Sequence, residues 1–555
     1  MLFYMLYLPV GVYPVRENTN TGHLSNPLDG KRIFRILLCT FMITRIKDPF
    51  SIGNRVWRLG STAWCLLAGL MLQSLNAQDS RSPGVSSSKP NIVWIIVDDM
   101  SANLSCYGET VIETPHLDQL ASSGIKFTQA FVTAPVCSTN RSAFITGMYQ
   151  TTIGSHHHRS GRGEIKIRLP EGIRPIPEYF QEAGYYTAIT GWPNKDRSNN
   201  GKTDYNFEWD RSIYDGPDWS KRKPGQPFFA QIQLPGGKHR GGDIEASRRF
   251  VQRMKEEFGS VTDPKDVTLP PYYPNDQVLL EDWAAYLDTV RLTDKFVGDV
   301  IARLKGEGDF ENTVVLFMTD HGISHARGKQ FLYEEGIHVP LIVSGPGLAA
   351  GAVRTDLVEH IDIAALSLGL ANIEIPGYMQ AKNILSEDYI ERTAIFSARD
   401  RCDETVEHMR CVRTDRYKYI RNFLPNRPHM QPNRYKDGKS IIKVLREANE
   451  AGMLNEVQAR IFESTRPKEE LYDLQNDPFE IHNLADDPKH QKRLKDLRSR
   501  LDSWIKATGD RGPEPVGMYD SDMAVYLQSR GSDPKQLQVL AGNIKQMKDW
   551  AAAGK

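Results

Sequence analysis

Three short clusters in this sequence combine residue types that do chemistry together. Asp98-Asp99 ends the apolar run Asn91–Val97, and Asp320-His321-Gly322 ends a second run, Thr313–Met318. Carboxylates gathered at strand ends repel one another unless a cation lies between them, and their oxygens suit a hard divalent ion. The third cluster is Cys137-Ser-Thr139-Asn140-Arg141, within Pro135–Gly147. A helix over Ser138–Ile145 sets Cys137 in the positive field of a helix N-terminus, with Arg141 one turn on and on the same face. The thiol is then a candidate nucleophile and the arginine a forked donor for a tetrahedral oxyanion. Each cluster alone also has a plain structural reading: a helix-capping aspartate, a buried cysteine, a surface arginine.

The elements that must position these groups read as α/β. Asn91–Val97 is continuously apolar and rich in β-branched residues, the pattern of a parallel strand buried on both faces. Tyr186–Thr190, Phe228–Leu234, Thr313–Met318 and Pro340–Ser344 read as further strands, with helices between them over His116–Ser122 and Gln277–Leu304. The alternation predicts a large, mostly parallel sheet sandwiched by helices, with its site beyond the carboxyl ends of the strands. After about residue 375 the texture changes. Thr393–Ala398, Met409–Thr414 and Tyr417–Phe423 read as short strands, the last two a hairpin around Asp415-Arg416. Leu424–Arg446 reads as a loop, and Gln491–Lys506 as a helix. The expected organisation is an extension and leader over 1–77, a catalytic α/β domain over 78–375 and a smaller C-terminal α+β subdomain over 376–555.

The chain has 555 residues, and its Lys+Arg and Asp+Glu counts are both 69. A zero balance gives no reason to expect nucleic acid as a partner, so attraction for an anion must be local. Arg55 and Arg58, the apolar run Ser61–Leu72 and the small residue Ala77 resemble a secretory leader, too short for a stable membrane span. Secreted or periplasmic protein is expected, which permits disulfides. Cys402 and Cys411 bracket a short segment and form the expected pair, whereas Cys106 reads as a buried thiol. His156-His157-His158-Arg159 fits a polar cleft loop better than a second metal site, since adjacent histidines do not all face one ion. Asp400, Arg401, Asp403, Glu404 and Arg410 surround the expected disulfide and are candidates for a sugar pocket, with His156 and His158.

Taken together the segments resemble the formylglycine-dependent sulfatases of the alkaline-phosphatase-like fold, over nearly the whole span from Pro90 to about Ile505. Asn91–Asp99 is similar to the opening strand and first metal pair of that family. Cys137–Gly147 is similar to its cysteine signature, Thr319–Gly322 to its second metal pair, Gly328–Leu341 to the stretch that follows, and Glu470–Leu484 to its C-terminal signature. The resemblance implies a sulfuric ester hydrolase acting on sulfated carbohydrate. Cys137 would be oxidised to formylglycine by a formylglycine-generating or other maturating enzyme. Asp98, Asp99, Asp320, His321 and modified Cys137 would hold Ca²⁺, or else Mg²⁺. Arg141 would orient the modified residue, Lys329 and Lys202 would contact sulfate, and His239 would assist the leaving oxygen. Lys195 is the next lysine to consider.

Four positions depart from the family pattern. Thr139 replaces the usual proline, Asn140 a serine, His321 an asparagine and Asp204 a histidine. Two alternatives follow: a phosphodiesterase or phosphonate hydrolase on the same fold, or a carbohydrate-binding relative in which Cys137 stays unmodified.

Overall fold

The computed structural model describes residues 89–193, 201–528 and 533–555. The expected leader and Lys195 lie outside these residues. No helix among the described residues is long and apolar enough to cross a membrane.

The larger sheet is built from β1 (Asn91–Val97), β2 (Ile125–Phe131), β3 (Tyr186–Gly191), β4 (Phe228–Leu234), β5 (Thr313–Thr319), β6 (His338–Ser344), β7 (Ala352–Arg354) and β8 (Val358–Glu359). Its order is β3-β4-β1-β5-β6-β2-β7, with β8 also on β2. β3, β4, β1 and β5 run parallel. β6 lies antiparallel to β5 and to β2, so Pro340–Ser344 is a strand as expected but runs opposite to its neighbours. β2 escaped the sequence reading because Lys126, Thr128 and Gln129 dilute its apolar pattern.

Both faces of the central strands are covered. On β1, Val93, Ile95 and Val97 enter one apolar cluster, and Ile92, Trp94 and Ile96 enter the other. Successive side chains of a strand alternate between faces, so a continuous apolar run feeds two cores at once. The helix α1 (Cys137–Thr146) follows β2 and is buried throughout. The 30-residue α2 (Gln277–Gly306) packs its apolar stripe on the opposite face.

A second sheet has the antiparallel order β12-β11-β10-β9, from β9 (Ile395–Arg399), β10 (Met409–Arg413), β11 (Tyr417–Asn422) and β12 (Glu469–Asp473). The β10–β11 hairpin pairs Met409 with Asn422 and turns at Asp415-Arg416 as expected. Leu424–Arg446 is not only loop. It contains a short helix at Arg434–Asp437 and the start of α3 (Ser440–Glu450), which buries Ile441, Ile442, Leu445 and Ala448. Two further helices close the chain, α4 (Val516–Leu527) and α5 (Pro534–Ala552). Apolar contacts of Tyr519 and Met523 with Leu540, Ile544 and Met547 join them.

Candidate active site

The carboxyl ends of β1, β4 and β5 and the N-terminus of α1 meet at one point. Asp98 and Asp99 follow β1 directly, and the Asp320 N–H donates to the Val97 carbonyl at 2.9 Å, so the two acidic clusters are held side by side. Cys137 is the first residue of α1 and only 2% exposed. Its Sγ lies 3.2 Å from His321 Nε2 and 3.3 Å from Lys329 Nζ. Lys329 also donates to Asp99 Oδ1 at 2.8 Å.

Arg141 serves the carboxylates. Its Nε donates to Asp320 Oδ2 at 2.9 Å, Nη1 to Gln233 Oε1 at 2.6 Å, and Nη2 approaches Asp98 Oδ1 at 3.4 Å. A buried guanidinium with most of its donors taken by these acceptors orients its partners. Lys202 reaches Asp98 Oδ1 at 2.5 Å and Asp320 Oδ2 at 3.6 Å.

His239 does not reach this point. Its ring packs 6.2 Å from Phe250 and 5.9 Å from Phe296, and burial, with Arg253, pushes the imidazole down to about 4. Its neighbour Lys238 enters instead, with Nζ 3.0 Å from Asp98 Oδ1 and 4.0 Å from Asp99 Oδ1. The cause is the short 3₁₀ turn Gly236–Arg240 after β4, in which adjacent side chains point to different sides. Glycines make the close approach possible: a Cβ on Gly236 would lie 2.3 Å from the Asp98 carbonyl oxygen, and one on Gly237 2.2 Å from that of Asp99.

Charge follows geometry. Burial opposes ionisation of Cys137, but Lys202, Lys238, Lys329 and His321 outweigh it and hold the thiol well below its usual range. Burial likewise opposes the charge on Asp98, and Lys202, Lys238 and Arg141 overcome it. Asp320, pushed by burial and by Asp98, rises to about 6. Ligand atoms of Asp98, Cys137, Asp320 and His321 all lie within 4.8 Å of one another, and Asp320 Oδ1 is buried with no hydrogen-bond partner. Convergent carboxylate oxygens, one of them orphaned, with a single imidazole nitrogen fit a divalent cation.

A cavity of about 280 Å³ opens over Cys137, with Lys238, Lys329, His158, Arg159, Asp403 and Tyr435 among its walls. His158 is fixed by Ser138 Oγ, 2.7 Å from its Nδ1. Glu404, Arg434 and Gln536 also line it. Lys238, Arg434, Tyr435 and Gln536 were not found from sequence. None belongs to a motif, and only their neighbours in space mark them.

Three expected substrate contacts are structural. Arg401 is 1% exposed, pairs with Glu514 and with Asp522 at 2.7 Å, and donates to the Asp403 carbonyl at 2.7 Å. Arg410 bonds Asp400 at 3.0 Å and Asp510. His156 Nε2 meets the Gly512 carbonyl at 2.7 Å. All three tie the segment 510–522 to the body, so none faces the cavity. Cys402 and Cys411 are separate thiols. Cys411 points from β10 into an apolar cluster with Ile395, Met409 and Ile420, while Cys402 groups with His158 and Asp403 beside the cavity. The two side chains face different surroundings, which is why the short separation in sequence does not bridge them.

The family model described as Sulfatase matches residues 90–373, and one described as N-sulphoglucosamine sulphohydrolase, C-terminal, matches residues 321–467. An ulvan-active sulfatase of Formosa agariphila is 32% identical over 82% of this chain and 81% of its own length. Human N-sulphoglucosamine sulphohydrolase is 25% identical over 77% of this chain and 92% of its own. Among solved structures, a 2-O GAG sulfatase shares the fold with a TM-score of 0.54, at 20% identity, over 81% of this chain and 96% of that one.

Proposed function

This chain belongs to the sulfatase family and hydrolyses sulfate esters, and we propose that it does so through a formylglycine at Cys137 and a divalent cation held beside it. The observation that carries the proposal is the placement of Cys137 Sγ 3.3 Å from Lys329 and 3.2 Å from His321, at the point where the ends of β1 and β5 deliver Asp98, Asp99 and Asp320. The cation, Ca²⁺ or else Mg²⁺, would be held by Asp98, Asp99, Asp320, His321 and modified Cys137. When bound it would polarise the sulfate oxygens and favour ionisation of the attacking hydroxyl. The hydrated aldehyde supplies one hydroxyl to attack sulfur and a second to expel sulfate, which a thiol lacks.

The remaining roles fall to the chain's own side chains. Lys329, Lys238 and Lys202 concentrate positive charge around the sulfate group, so a chain of zero net charge attracts an anion locally. Buried Lys329 has little freedom and stabilises charge as it develops. Arg141 keeps Asp320 and Asp98 in place. Lys238, with 36% of its side chain exposed at the cavity, takes the place expected for His239 and offers its proton to the leaving oxygen. Thr139 donates its hydroxyl to the Val136 carbonyl at 3.0 Å, which keeps its side chain within its own turn.

The proposed substrates are sulfated polysaccharides and their fragments, a reading supported by the likeness to an ulvan-active sulfatase. A maturating enzyme and export from the cytoplasm belong to the same proposal. The test is a panel of sulfated disaccharides beside a phosphonate monoester and a phosphodiester, with and without chelator. Sulfate release that chelation abolishes, together with a lower Tm of the chelated protein, is expected. Preference for the phosphonate, or full activity in chelator, would contradict the proposal.

A further inference from the structure

Next to the catalytic cavity lies a second one of about 470 Å³, and Arg159, Asp403 and Arg434 line both. A volume of roughly 300–1,000 Å³ is what small-molecule sites occupy. The second cavity has three guanidiniums, from Arg159, Arg162 and Arg434, against the carboxylates of Asp204 and Asp403. Asp204 is engaged by Arg162 at 3.1 Å and lies 3.9 Å from Arg159. Arg434 donates its backbone N–H to Glu404 Oε1, but among the described residues its guanidinium has no partner. A planar fork of N–H donors without a partner, facing a cavity, suits a carboxylate or a sulfate.

Val525 and Tyr526 supply the apolar part of the lining. Val525 is 42% exposed, and the phenol of Tyr526 stands 3.5 Å from Asp403 Oδ1. Apolar surface and charged donors in one lining match a sugar, which has apolar C–H faces and a polar edge. The apolar part belongs to α4, which lies beyond residues 90–467 matched by the family models. It is held rigidly: Asp522 accepts from the backbone of Arg162 at 2.8 Å and Gly163 at 3.0 Å, and Tyr519 donates to the Glu404 carbonyl at 2.9 Å.

We infer that this cavity is a subsite for the sugar next to the sulfated one, and that it selects a neighbour carrying an anionic group. The inference rests on the sulfatase reading for what occupies the first cavity. α4 would then set which oligosaccharides are cleaved, through contacts that the catalytic groups do not make.

The experiment compares kcat/KM on three disaccharides that share one sulfated sugar. Their second sugars are neutral, uronate-bearing or sulfated. Calorimetric titration of the three desulfated products gives the same comparison without catalysis. An acidic neighbour is expected to be preferred over the neutral one by about tenfold or more. Arg434→Gln and Arg162→Gln should each bring that ratio toward one, and the two acidic arms show whether carboxylate or sulfate is favoured. Equal kcat/KM and equal affinity for neutral and acidic neighbours would overturn the subsite, as would a preference that neither variant alters. Acid-selective binding without sulfate release from any substrate would support the subsite and count against the sulfatase reading alone.

Discussion

Lys329 Nζ lies 2.8 Å from Asp99 Oδ1 and 3.3 Å from Cys137 Sγ, so one buried cation touches both an expected metal ligand and the cysteine proposed to be modified. A charge-assisted donor in a dry site is worth more than the same contact in water. Lys329→Ala should lower kcat/KM by about 10²-fold or more, with the circular dichroism of the fold retained. A near-normal rate would move the sulfate contact to Lys238 or Lys202.

Lys238 and His239 are adjacent in sequence but face different surroundings, one the cavity and the other Phe250 and Phe296. Lys238→Ala should lower kcat by about 10²-fold, as loss of a proton donor does. His239→Phe should leave turnover close to wild type, because the ring serves packing. If His239→Phe were the damaging change, the placement of the proton donor would be wrong.

Much of the candidate site was legible because its groups follow strands and a helix that the pattern marks clearly. Asn91–Val97 and Phe228–Leu234 have the bounds expected for them, and α1 differs from the expected helix by one residue at each end. The misreadings share one cause: side-chain direction outside regular elements. His239 sits on a 3₁₀ turn, where the neighbouring lysine takes the inward position. Arg401 and Arg410 carry charges suited to a sugar, but Glu514, Asp522, Asp400 and Asp510 neutralise them, and three of those partners lie about a hundred residues on. Tyr435 and Gln536 come from segments without a motif, and α3 was hidden among the Lys, Asn and Pro residues around it.

Arg401 joins the catalytic body to the segment that leads into α4, through Glu514 and Asp522. At 1% exposure its charge is not screened, and its removal would leave Asp522 buried without its countercharge. Arg401→Ala should cost about 3–5 kcal/mol in chemical denaturation. The defect should appear in stability before KM. A raised KM with unchanged stability would restore Arg401 to the substrate site.

Glu407 and Arg466 form a buried pair, with Nη1 2.6 Å from Oε2. Burial opposes the charge on Glu407, but Arg466 and Arg399 outweigh it and hold the carboxyl at about 2. A folded value below the unfolded one, about 4.3, means that the stabilisation is complete above that pH and is lost as pH falls toward 2. Glu407→Gln should therefore lower Tm at neutral pH, and the gap from wild type should narrow between about pH 4.3 and 2. A gap independent of pH would show that the pair does not titrate in this way.

The account depends most on the chemical state of Cys137. Its Sγ is buried among Lys202, Lys238, Lys329 and His321, and Thr139 stands two residues on, where the family pattern this segment resembles has proline. Proline would pre-set the backbone there, so threonine adds an ordering cost for the maturating enzyme without forbidding recognition. The direct measurement is mass spectrometry of the peptide carrying Cys137, from protein made in a host with that enzyme, alongside sulfate release by the same preparation. The account predicts formylglycine at position 137 in proportion to activity, with more of it when Thr139 is changed to Pro. Intact cysteine throughout, in a preparation that still releases sulfate, would contradict it.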